Sequence, residues 1–214
     1  MGHRFVELAF TDAVKAVQAQ EGSRESYLKF EGGQAHHDRL GPAEEAFLAA
    51  RDSFYMATIS ETGWPYVQHR GGPAGFLKML DERTIGFADF RGNRQYVSLG
   101  NLAGDDRVAL ILVDYPNRRR LKILGRARPI TAADDAATLG RLELPGYRAT
   151  IERGFVIAVE AFDWNCPQHL TSRYTAEEIA SAVAPLQARI AELEAALAQA
   201  RDGQRSGGAG AGAA

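Results

Sequence analysis

SFYMATISETGWPYVQHR, residues 53–70, carries aromatic and β-branched residues in two arms, Phe54–Ser60 and Pro65–Arg70, with a turn at Thr62 and Gly63 between them. That pattern predicts a β-hairpin. Working outward on the C-terminal side, Phe76–Leu80 and Thr84–Ala88 read as two more strands joined through Asp81 and Glu82. Val108–Asp114 and Arg120–Pro129 form another pair around Tyr115, Pro116 and Asn117, and Gly154–Asp163 supplies a late strand. Helical interruptions are expected at Gln95–Leu102 and Ala133–Leu142. The fold class is therefore mainly β (α+β), with six to seven antiparallel strands, flanking helices and a barrel form that removes exposed sheet edges.

On the N-terminal side, Pro42–Arg51 reads as a short helix, because Pro42 suits a first helical position and Phe47 and Leu48 supply an inward face. Residues 1–41 form a polar helical and loop lead-in. Phe5, Leu8, Val14 and Val17 give it a partial apolar stripe before a loop around Gly32, Gly33, His36 and His37.

The barrel is expected over residues 42–174, an amphipathic helix over 175–202, and a disordered Gly/Ala tail over 203–214. Thr175 with Glu178 three positions on has the form of a capping box. Ile179, Val183, Leu186, Ile190, Leu193 and Leu197 step by fours and threes, a coiled-coil-like seam in which Pro185 is expected to kink the helix or restart it. Three uses of this helix stay open: pairing with itself, packing on the barrel, or docking another helical protein.

The chain has 214 residues, 45% of them hydrophobic, enough for one substantial core. Its formal net charge of −2 gives no global attraction to nucleic acid or anionic membrane, so any anion site must come from local arginine clustering. The N-terminal residues lack the apolar run of a signal peptide and no window is long enough to span a bilayer, so a cytoplasmic location is expected. A single cysteine, Cys166, excludes an intrachain disulfide and a thiolate-rich zinc site, and no metal is expected.

Four segments carry candidate chemistry. HRGGP, with His69, Arg70, Gly71 and Gly72, ends a strand where absent side chains would admit a ring, or where the barrel turns a corner. GFADFRGNRQY places Gly92, Asn93, Arg94 and Gln95 ahead of a helix, where amides and a guanidinium favour an anion. NRRRLKILGRA puts Arg118, Arg119 and Arg120 into a strand, with Arg119 expected to point opposite to the other two. DWNCPQH adds Asn165, Cys166 and His169. Cys166 is either a reactive thiol or a packed, inert one, and His169 either a proton donor, the catalytic candidate, or a structural hydrogen-bonding group.

Together HRGGP, GFADFRGNRQY and NRRRLKILGRA, in that order within Ala43–Thr171, resemble the flavin-binding core of the pyridoxamine 5'-phosphate oxidase-like superfamily. The resemblance implies a split β-barrel homodimer with FMN at the subunit interface. It implies Phe87 and Ala88 along the flavin, Asn93 and Arg94 where the family sets an Arg-Lys pair on the phosphate, Arg120 where a flavin-contacting glutamine often stands, and Gln68–Pro73 under the ring. The family's substrate-phosphate pattern, Tyr-x-x-x-Arg-Pro-x-x-Ser, has no counterpart between Ala132 and Gly154, so oxidation of pyridoxamine phosphate is not expected. The expected function is an FMN-dependent oxidoreductase acting on a small molecule. The alternative is a non-catalytic carrier or sensor of flavin, deazaflavin or haem, with His69 or His169 as an axial ligand in the last case.

Overall fold

The N-terminal residues build a strap. β1 (Gly2–His3) leads into α1 (Arg4–Ala9), α2 (Asp12–Gln20) and α3 (Arg24–Leu28), and β2 (Ala35–His36) returns parallel to β1. The structure is a computed structural model and describes residues 2–32, 35–165 and 167–208. Among the described apolar side chains of the strap Val6 is the buried one, whereas Leu8, Val14 and Val17 of the expected stripe are exposed. The strap is instead held by rings: His3 stacks on His37 at 4.0 Å and Phe10 meets Tyr27 edge-on at 5.3 Å. His36 and His37, read from sequence as loop residues, are thus drawn into a strand and a stacked pair.

After α4 (Pro42–Ala49) come β3 (Ser53–Ile59), β4 (Pro65–Gly71), β5 (Leu77–Asp81) and β6 (Thr84–Phe90), then α5 (Val97–Gly104), β7 (Arg107–Asp114), β8 (Arg119–Ile130), α6 (Ala132–Leu142) and β9 (Ile151–Asn165). The seven strands β3–β9 form one antiparallel sheet in the order β4-β3-β7-β8-β9-β6-β5. The fold is a split β-barrel. Its backbone ladder does not close, and β4 and β5 remain its two edges. Side chains span the gap. Phe54 of β3 meets Phe87 of β6 at 5.2 Å and Phe76 at 5.7 Å, and Phe87 stacks on Phe155 of β9 at 5.3 Å. Strict alternation explains the inward set: Phe54 and Met56 on β3, Leu110 and Leu112 on β7, Leu121 and Ile123 on β8 are all buried, with their neighbours half-buried or exposed.

β6 and β9 are covered on both faces, which is why IGFA and FVIAV read as continuous apolar runs. The second cover is α6, whose Leu142 packs with Ala88, Ile130 and Val156. Gly86 and Gly154 make the notch it occupies: a Cβ there would lie 3.0 and 2.7 Å from Leu142 methyl carbons. α4 is fastened by Glu44, which accepts from the Gly41 amide at 2.9 Å and from the Trp164 indole N–H at 2.8 Å.

A second compact unit starts at Thr171. Its helix α7 (Ala176–Gly208) opens with the expected capping box: Glu178 N donates to Thr175 Oγ1 at 3.1 Å, and Thr175 N donates to Glu178 Oε2 at 2.7 Å. The helix carries Pro185 inside it as one element and does not restart there, because a proline removes a single donor and the turns on both sides propagate. One expected boundary needs correction: the helix continues to Gly208, past Asp202. Cys166 and residues 209–214 lie outside the described residues.

Candidate functional site

β4 and β6 do not pair, yet they face one another across the split, and a crevice of about 220 Å³ opens there. Part of its lining is ionic. Arg70 of β4 donates to Asp89 of β6 at 2.7 Å, and Arg153, at the start of β9, approaches the other Asp89 oxygen at 3.7 Å. Arg153 also contacts Glu152 at 3.1 Å, and Glu152 in turn accepts from Arg91 at 3.0 Å and from the Tyr96 hydroxyl at 3.1 Å. Arg94 Nε donates to that hydroxyl at 3.1 Å. Phe90, Leu99 and Phe155 add apolar contacts to the lining, with the Arg70 guanidinium 5.2 Å from the Phe155 ring, and Gln68 and Ser98 are joined by a 2.8 Å hydrogen bond.

The electrostatics follow from depth. Arg70 and Asp89 are each 12% exposed. Burial pulls the Arg70 pKa down and pushes the Asp89 pKa up, and their mutual attraction offsets only part of it. Arg70 Nε is buried with no hydrogen-bond partner. Around the crevice four guanidiniums (Arg70, Arg91, Arg94, Arg153) stand against two carboxylates (Asp89, Glu152), an excess of positive charge. The arrangement can take an anion at the rim and a flat apolar group against Phe90 and Leu99.

The loop that carries Arg94 departs from expectation. Asn93 and Arg94 do not start a helix; α5 begins at Val97, after Arg94 (φ 61°) and Tyr96 (φ 55°) both adopt left-handed backbone. Gly92 is not among the positive-φ glycines, so the tight turn is made by these two side-chain-bearing residues. Such conformations cost of order 1–2 kcal/mol each and concentrate where function holds them.

Of the residues read from sequence, the crevice gathers Gln68, Arg70, Gly92, Asn93 and Arg94. Gln95 borders a neighbouring depression with Ser60 and Thr62. His69 lies on the opposite face of β4, edge-on to Tyr55 at 5.5 Å. Gly71 and Gly72 form a barrel corner: the space a Gly72 Cβ would take is filled by Phe76, 2.9 Å away. The Phe87 side chain sits in the core and Ala88 in the cluster under α6.

Arg120, Asn165 and His169 lie elsewhere. Arg120 pairs in register with Asn165, its guanidinium donating to the Gln168 carbonyl at 3.3 Å, and His169 is exposed with φ 59°. Asn165 is twelve residues from Arg153 along β9, a strand contour of roughly 40 Å. Arg119 does turn away from Arg120, placing its guanidinium 4.5 Å from the Trp164 ring and 5.3 Å from Phe47.

Sequence reading missed Asp89, Glu152 and Arg153. The available signal was a carboxylate inside the apolar run GFADF and a charge pair opening the run that starts at Phe155.

No curated protein matches the chain. Among solved structures, an FMN-binding protein from Syntrophomonas wolfei is similar at 13% identity, with 72% of this chain and 97% of that one covered and a TM-score of 0.43. A pyridoxamine 5'-phosphate oxidase candidate from Lactobacillus delbrueckii is similar at 20% identity over 59% of this chain and 94% of that one, TM-score 0.44. A Clostridium acetobutylicum protein related to general stress protein 26, of the pyridoxinephosphate oxidase family, is similar at 15% identity over 64% and 94%, TM-score 0.43. The sequence model of the pyridoxamine 5'-phosphate oxidase family matches residues 40–156, more than half of the chain and every strand of the barrel except the second half of β9, and the chain therefore belongs to that family.

Proposed function

We propose that the chain binds FMN in this crevice as a homodimer and acts as an oxidoreductase, passing hydride or electrons between the flavin and a small molecule. The observation that carries the proposal is a crevice that combines guanidiniums, among them a buried Arg70 Nε without a hydrogen-bond partner, with apolar contacts from Phe90, Leu99 and Phe155. A phosphate monoester joined to a flat ring needs both.

When bound, a flavin supplies the hydride and electron chemistry. The chain supplies placement. Arg70, fixed by Asp89, is the rigid part of the cationic lining, and exposed Arg94 is the part free to close on an anion. Tyr96 and Glu152 hold the Arg94 loop in its left-handed turns.

Two features support a homodimer. A crevice of about 220 Å³ falls short of the roughly 300–1,000 Å³ usual for such ligands. The outward face of β3, β4, β7 and β8 is also an apolar trough, with Tyr55 42% and Val67 61% exposed beside Ala57, Ile111 and Leu124. Under twofold symmetry, Arg120, Asn165 and His169 of a second copy would complete the site, with His169 as a proton source.

The test is an absorption spectrum of purified protein, identification of released chromophore by mass, and titration with FMN. Arg94→Ala is expected to weaken FMN by about 1.5–3 kcal/mol, on the order of 10–150-fold in Kd. A deazaflavin or haem mass would reassign the ligand, although among the described residues no histidine lines the crevice. A colourless protein that does not take up FMN would overturn the proposal.

A further inference from the structure

The helix α7 presents Ile179, Val183, Leu186, Ile190, Leu193 and Leu197 at between 36% and 63% exposure, an apolar stripe running most of its length. In heptad terms Val183, Ile190 and Leu197 occupy a, and Ile179, Leu186 and Leu193 occupy d. β-Branched residues at two a positions with leucine at the two following d positions is the combination that favours two parallel strands. Pro185 falls at c, outside the seam.

The flanking charges choose both partner and direction. Among the g positions Ala182, Arg189 and Ala196, only Arg189 is charged, and Glu194 lies at e, one heptad further on. A parallel, in-register pair sets g of one helix against the following e of the other, so Arg189 meets Glu194 of a second copy, and symmetry repeats the contact. An antiparallel pair sets g against g, leaving Arg189 to face alanine or another arginine. Within one chain Arg189 reaches only along its own surface, to Glu192 at 2.9 Å, with both side chains 66% exposed. Such exposed contacts contribute little and exchange readily.

We infer that α7 is a parallel two-stranded coiled coil with α7 of a second copy of this chain. This is separate from the crevice: it gives the molecule a dimerisation element that needs no flavin.

The test uses the full chain with Cys166→Ser, so that a single introduced cysteine carries a spin label at Ser181 or Ala195, both outward f positions. Parallel pairing gives a short and similar label-to-label distance at both sites, with or without FMN. Arg189→Glu and Glu194→Arg should each lower the population of the short distance, weakening pairing about three- to ten-fold, and the two together should restore it. A short distance absent at either site, as antiparallel pairing or packing on the barrel would produce, overturns the inference. So does a double variant no better than the singles. Failure to bind FMN would leave the distances unchanged, so the two proposals fail independently.

Discussion

The two ends of β9 use arginine in opposite ways. At the crevice end Arg70 and Arg153 are 12% and 15% exposed and lie both against the Asp89 carboxylate and over rings, Arg70 5.2 Å from Phe155 and Arg153 4.9 Å from Tyr96. At the far end Arg119 rests on the faces of Trp164 and Phe47, above the Glu44 bond that fastens α4. A guanidinium held among buried carboxylates leaves donors and charge available to a ligand. One laid on aromatic rings with no carboxylate beside it among the described residues, as Arg119 is, serves as packing. Residue type alone does not separate the two; depth and partner do.

The comparison breaks most easily at Asp89. Asp89→Ala strands two buried guanidiniums and should destabilise folding by about 3–5 kcal/mol in urea denaturation, whereas Arg70→Met with Asp89→Leu should recover most of that loss. A loss for Asp89→Ala of under about 1 kcal/mol would mean that the crevice end is as solvated as an ordinary surface.

Next is the expectation that the two ends meet between copies. Arg94→Ala and Arg120→Ala should each weaken FMN by about 1.5–3 kcal/mol as pure variants. A mixed dimer of the two should regain one intact site of two, read as half-stoichiometric binding near the parental affinity. No recovery would place both ends on one site of one chain, and full affinity in the pure Arg120→Ala dimer would place Arg120 outside the site. At the far end, Glu44→Ala leaves the Trp164 indole N–H unpartnered and should lower stability by roughly 1–3 kcal/mol without affecting FMN affinity.

The smallest effect concerns the strap. Burial and His37 lower the pKa of His3, with Asp163 opposing, itself 3.4 Å from Lys122. The unfolded chain therefore takes up this proton first. His3 contributes stability above its ordinary pKa near 6.5, and that contribution fades as pH falls from there toward its lowered folded value. Melting curves at pH 7.5 and 5.5 should differ by about 3 °C more in the native chain than in His3→Phe.

The barrel was legible because alternation in β3, β7 and β8 and doubly buried runs in β6 and β9 are local properties of the chain. So was the capping box of α7. The crevice was legible in its cations and Asn93 but not in its carboxylates. Arg70 and Arg94 stand out in sequence, but Asp89 acquires meaning through a contact spanning 19 residues to Arg70, on a strand with which it shares no ladder, and Glu152 through one spanning 56 residues to Tyr96 in the loop before α5. The α5 boundary was misread because two residues with side chains, not Gly92, take the left-handed turns. The two-residue strands β1 and β2 carry no pattern long enough to detect.

The open ladder also bears on how a guest enters. Among the described residues β3 and β4 share no backbone ladder with β6, and what joins them across the split is aromatic contact, the Arg70–Asp89 ion pair and the Arg70 guanidinium over the Phe87 ring. A ligand entering there would work against side-chain packing, while the continuous β7-β8-β9 ladder stays intact.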